Sequence, residues 1–165
     1  MGPFAARSPS AVSRGEFGAV VVRRISALLE REAIPATFFV PGHSAETYPD
    51  LVPAIGAAGH EIGHHGYLHE DPVALETREA EREILLRALA APETVVGTRP
   101  VGDRSPTWDN SPSTVELHLE EGFHYERSLM GDDLTPSWCR VGDHHQPDGP
   151  YLSGGSVDLV EMPVS

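Results

Sequence analysis

Two histidines four residues apart, His65 and His69, stand in the stretch GHEIGHHGYLHE from Gly59 to Glu70. A single helical turn between them would send both imidazoles the same way, with Cβ atoms about 5 to 6 Å apart. Neutral imidazoles suit zinc and other borderline divalent ions, and a catalytic site would add one carboxylate and an open position for water. The same spacing also fits two loop histidines that merely cap and hydrogen bond, with Tyr67 packed between them. Further along, RSPTW sets Arg104 beside Trp108. A guanidinium can hold a carboxylate by charge-assisted hydrogen bonds, although the sequence alone favours an ordinary surface ion pair. An aromatic at the end of a strand serves as core, as a groove wall, or as both. His43, after Pro41-Gly42, is a candidate for substrate contact or for an ordinary loop histidine. His64 neighbours His65 and should point away from any metal side. Asp103 neighbours Arg104, and successive side chains of a strand face opposite ways, so the two should not share a site. Adjacent His144 and His145 rarely share one ion and read as solvated loop.

These residues need a scaffold, and the hydrophobic pattern predicts one. Residues 1–14 read as a loop or tail. From Glu16 to Ala33 an amphipathic helix is expected, with Phe17, Val20, Val21, Ile25, Leu28 and Leu29 on its inner face. Strands are expected at Ala36–Val40, His60–His64, Val101–Asp103, Phe123–Tyr125 and Val157–Val160. Helices are expected between them: Tyr48–Ala58, Glu76–Ala90 stopped by Pro92, and one opened by Ser111-Pro112 and closed by Gly122. The Glu76–Glu83 charge run reads as a solvated face, and the stretch after Tyr125 as mostly loop. Alternating helix and strand with short joins implies an α/β fold with a parallel sheet or barrel. The loaded loops, holding His43, the histidines of the 60s, Arg104 with Trp108, and Asp132 with Asp133, would then gather at the carboxyl end of the strands.

The chain has 165 residues, the size of one domain, with 12 Lys+Arg against 25 Asp+Glu and a formal net charge of −13. That balance excludes an electrostatic grip on nucleic acid or on an anionic membrane surface. Cys139 is the single cysteine and closes no disulfide within the chain. With no run apolar enough for a signal peptide or membrane span, a cytoplasmic location is the expectation.

The stretch AIPATFFVPGHSAETYPDLVPAIGAAGHEIGHHGYLHEDP, together with VGDRSPTWDNSP, resembles the polysaccharide deacetylase family and its NodB homology domain. More narrowly it is similar to the cytosolic branch of peptidoglycan-deacetylase-like and cyclic amide hydrolases. The likeness runs from about Gly15 to Asp133 and returns at VEMPVS. It implies a distorted (β/α) barrel over 15–165, a divalent metal, zinc, and hydrolysis of C–N bonds outside peptides in a sugar or small-molecule amide. It also implies residue roles. His65 and His69 match the family's metal-binding histidines, Arg104 the arginine that orients the catalytic aspartate, and Trp108 the aromatic wall of the substrate groove.

The departures are equally specific. The family's Thr-Phe-Asp segment would lie upstream of everything matched, and this sequence has no Asp before Asp50. The late Leu-x-His motif would lie beyond VEMPVS. The barrel is therefore expected to be incomplete, lacking its first strand and last units. Asp103 stands where relatives carry an aromatic, and Glu126-Arg127 where an acidic–serine pair is common. Asp71, Asp103 and Asp132-Asp133 are the carboxylates that could substitute for the absent ones. Two readings follow: a metal-dependent amide hydrolase, or a non-catalytic binding module of the same fold, homo-oligomeric where an open sheet edge needs cover.

Overall fold

The computed structural model describes residues 8–131 and 134–164, which leaves Asp132 and Asp133 outside the described residues. Its strands form one sheet in the order β1-β2-β3-β4-β6-β5. β1 (Thr37–Val40), β2 (Glu61–His64), β3 (Gly102–Asp103), β4 (Tyr125–Glu126) and β6 (Gly155–Glu161) run parallel, and β5 (Ser137–Val141) is antiparallel to β6. This is the α/β class expected. Among the described residues β1 and β5 are free edges, so the sheet is an open arc of a barrel.

Among the described residues five α-helices accompany it: α1 (Pro9–Glu32), α2 (Gly42–Thr47), α3 (Leu51–Ala57), α4 (Arg78–Val96) and α5 (Thr114–Glu120). One core joins Leu85 and Leu89 of α4 to Val115 and Leu117 of α5, over Phe123, Cys139 and Leu159. A smaller one joins Ala45, Val52 and Ala91 beneath Val40 and Ile62. α4 starts where the Thr77 hydroxyl accepts the Ala80 N–H, and ends at Gly97, whose φ of 77° suits glycine.

Several expectations are corrected. Pro92 does not stop α4; it is fully buried inside the helix, where packing outweighs the lost hydrogen bond. Glu81 is not solvated: it is buried and accepts the hydroxyls of Ser111 and Thr114. The helix foreseen from Tyr48 begins only at Leu51, as α3, because Pro49 keeps Tyr48 out of the helical region at φ −123°; α2 takes up the stretch around His43 that reads as a loop. In the stretch after Tyr125, β6 contains the expected Val157–Val160 strand, but β5 lies where loop was expected. Finally, α1 begins at Pro9, inside the expected tail, and only Val21 and Leu29 of the expected inner face are half-buried. Phe17, Val20, Ile25 and Leu28 are exposed, while Gly18, Ala19 and Val22 border β1 and α3. Small residues let the helix lie close, and periodicity alone does not say which apolar stripe will be used.

One register matters for the site. His64 pairs with Asp103, Asp103 with Glu126, and Glu126 with Glu161, so these four form a row across the sheet. The residues that follow them, His65, Arg104, Arg127 and Met162, form the next row, facing the opposite way.

Candidate active site

The second row opens onto a cleft of about 640 Å³ lined by Thr37, Phe38, Phe39, His65, His69, Arg104, Thr107 and Trp108. Two glycines shape this face of the sheet. A Cβ on Gly63 would lie 2.5 Å from the Phe39 ring, and one on Gly102 would lie 1.9 Å from the Tyr125 ring. Both rings therefore lie across the sheet surface where side chains are absent, and they form an aromatic floor.

His65 and His69 meet edge to face with ring centroids 4.9 Å apart. The His65 Nδ1–H donates to the carbonyl oxygen of Arg104, which turns Nε2 outward and fixes the tautomer. Burial lowers the pKa of His65 below the ordinary histidine value, against the opposing pull of that carbonyl, so the ring favours its neutral form. The Arg104 guanidinium lies 5.0 Å from the centroid of the Trp108 ring, and Trp108 is 55% exposed. Backbone strain gathers here too. His69, Thr107 and Trp108 have φ of 62°, 64° and 61°, a region costly for branched and bulky side chains.

Behind the cleft, the other row is sealed. Asp103, 1% exposed, accepts from His64 Nδ1 and lies 3.6 Å from His118 Nε2. Burial alone would raise its pKa, but His118, His64 and the Ser105 hydroxyl outweigh it and hold it low. Burial lowers the pKa of His118. Glu126 accepts both the N–H and the hydroxyl of Ser128, and Ser128 Oγ in turn accepts the Ser105 N–H at 2.7 Å. Beside it, burial, then the hydrogen bond and charge of Glu126, push Glu161 up to about 9. This chain of bonds anchors Ser105 directly under the loop that carries Arg104 and Trp108.

Four of the five residues singled out from the sequence, His65, His69, Arg104 and Trp108, thus line one cleft. His43 does not: it is exposed on α2, with its ring edge-on to Tyr67 at 6.1 Å. His64 and Asp103 face away from the cleft, as strand alternation requires. The Glu126–Glu161 pair, the buried His118 and Arg127 were not foreseen; strand register brings in Glu126, Glu161 and Arg127, and α5 carries His118. A zinc-type ion fits the donor chemistry of His65 and His69, one of them already braced from behind. Among the described residues no carboxylate, thiol or third imidazole joins them to complete a ligand set.

Comparison with known proteins places the chain in a family. The polysaccharide deacetylase family model matches residues 15–125. The peptidoglycan deacetylase of Helicobacter pylori is 40% identical over 96% of this chain and 57% of its own length. A crystal structure from Mycobacterium smegmatis, assigned to the polysaccharide deacetylases, superposes with a TM-score of 0.80 and 41% identity, over 98% of this chain and 51% of that one. The PuuE allantoinase structure superposes with a TM-score of 0.67 and 33% identity, over 87% and 43%. The chain spans about half the length of these relatives, from 43% to 57%. Its fold, its histidine loop and its Arg104–Trp108 loop all lie where the matched family places its domain, and the chain belongs to the polysaccharide deacetylase family.

Proposed function

We propose that the cleft serves the hydrolysis of a C–N bond outside peptides, in an N-acylated amino sugar of the peptidoglycan type, with zinc held by His65 and His69. The observation that carries this reading is the paired imidazoles, one tethered by its Nδ1–H to the Arg104 carbonyl so that Nε2 is free to bind a cation. A divalent ion bound there supplies Lewis-acid polarisation of the acyl carbonyl and a lowered pKa for water, from 15.7 toward about 7.

The chain's own residues supply the rest. The Arg104 carbonyl holds the His65 proton on Nδ1 and keeps that ring from turning. The Arg104 guanidinium, free of any carboxylate among the described residues, can hold a carboxylate base in its ionised form. Trp108 gives a sugar ring a flat apolar wall, and Phe38 and Phe39 exclude water from the opposite side. The strained Thr107–Trp108 backbone fixes that wall rather than leaving it to swing.

The test is hydrolysis of N-acetylglucosamine oligomers by the purified chain with added zinc, read as released acetate. Turnover that disappears in His69→Ala supports the reading. Zinc binding without turnover would instead favour the non-catalytic binding module.

A further inference from the structure

A second hollow, of about 540 Å³, lies at the other end of the strands, between α3 and the end of α4. His60 lines it immediately before β2, and His65 lines the cleft immediately after that strand. At the usual rise per residue the two histidines are about 16 Å apart along β2. Gly56 helps to keep the hollow open, since a Cβ there would already touch the Val96 side chain at 3.4 Å.

His60 is 8% exposed, and neither of its ring nitrogens has a hydrogen-bond partner. Among the described residues it is the one imidazole buried with both nitrogens unpartnered; His64 and His118 each direct one nitrogen at Asp103. Its ring packs against Phe38, with centroids 5.3 Å apart. Buried polar groups nearly always find a partner, so an orphaned ring in a cavity wall marks a place for one.

The other walls say what that partner is. Ile62, Val95, Val96 and Val101 are aliphatic and offer no bonds to a polyhydroxylated sugar. Arg99, at the rim, is already taken by Glu121 at 2.7 Å, with Glu93 at 3.8 Å, and Glu61 accepts the Thr37 hydroxyl at 2.7 Å. An anion would meet these three carboxylates, and a cation would give up its water to aliphatic walls. A flat, uncharged apolar body with a single hydroxyl fits. The hydroxyl both donates and accepts, so it satisfies His60 in either neutral tautomer.

We propose that this hollow is a second ligand site, which takes an uncharged aromatic alcohol of one or two rings with its hydroxyl on His60. It stands apart from the amide reading of the cleft and shares no residue with it.

2-Naphthol and naphthalene form a matched pair that differs by the hydroxyl alone, and equilibrium dialysis against the whole chain measures both. 2-Naphthol should bind about tenfold more tightly, equivalent to about 1.4 kcal/mol. His60→Phe keeps a ring against Phe38 but removes both nitrogens, and should erase that advantage. Ala57→Phe, at an exposed position on the rim, should weaken both probes at least tenfold. Trp108→Ala, which strips the wall of the cleft at the opposite end of the sheet, should change neither. Equal binding of the two probes, an advantage that survives His60→Phe, or loss of binding in Trp108→Ala overturns the site. Should His60→Phe fail to fold, Ala57→Phe decides alone, and unchanged binding there overturns it.

Discussion

The two faces of one sheet carry similar chemical groups and use them in opposite ways. On the helix-covered face, His64, Asp103, Glu126 and Glu161 are buried, and most of their polar atoms are bonded to one another or to Ser105 and Ser128. On the open face, His65, His69, Arg104 and Arg127 line a groove, and the two arginines have no carboxylate partner among the described residues. The difference teaches that burial with partners makes a charged group structural, and burial without them leaves it available. It also separates stability from binding. Removing one member of a buried pair strands the other charge, whereas removing a groove residue strands nothing.

Four measurements test that separation. The largest effect is expected for Asp103→Ala, which leaves His64 and His118 without their acceptor. It should cost about 3 to 5 kcal/mol in denaturant unfolding. A loss under about 1 kcal/mol would mean that the sealed row is not structural. Gly102→Ala comes next, because the new Cβ would displace the Tyr125 ring from the sheet, at about 1 to 3 kcal/mol.

The third effect is a pH slope. Glu161 keeps in the folded state, up to about 9, a proton that its ordinary value of 4.5 would release on unfolding. The native state therefore binds more protons between those limits. Its stabilising contribution is complete below about 4.5 and is lost as pH rises toward 9, by at most about 1.4 kcal/mol per pH unit. Glu161→Gln should flatten that slope, and an unchanged slope would assign it elsewhere. The smallest stability effect belongs to His69→Ala, under about 0.5 kcal/mol for an exposed loop residue. The same substitution should weaken cobalt or zinc binding at least tenfold, read by the absorption of the cobalt form. A variant that unfolds, or that binds metal unchanged, would collapse the distinction between the faces.

The groove was the more legible face. His65 and His69 lie four residues apart, and Arg104 and Trp108 share one short loop, so local spacing brings each pair together before any tertiary contact forms. The sealed row lies in no local pattern. Asp103 finds His64 across 39 residues, and Glu161 finds Glu126 only through the pairing of β4 with β6. Glu81 was hidden for a similar reason: a helix charge run looks solvated until Ser111 and Thr114 of a later segment arrive. β5 carried little readable signal, since Ser137–Val141 reads SWCRV and its apolar Trp138 falls on the exposed face beside a buried Cys139. α1 is the opposite case, because four of the six residues of its apolar stripe are left exposed.

The adjacency of the two rows has a consequence for how this sheet can change over generations. Substitutions in either row are local events, felt at one face. Inserting or deleting a single residue within β2, β3 or β4 would instead exchange the faces of that strand wholesale. It would drive an arginine or an imidazole into the apolar layer and present a core carboxylate to the groove. Length in these strands is therefore far less negotiable than composition. A library of one-residue indels should show survivors in the loops, such as 142–154, and almost none between the strand ends and the residues that follow them.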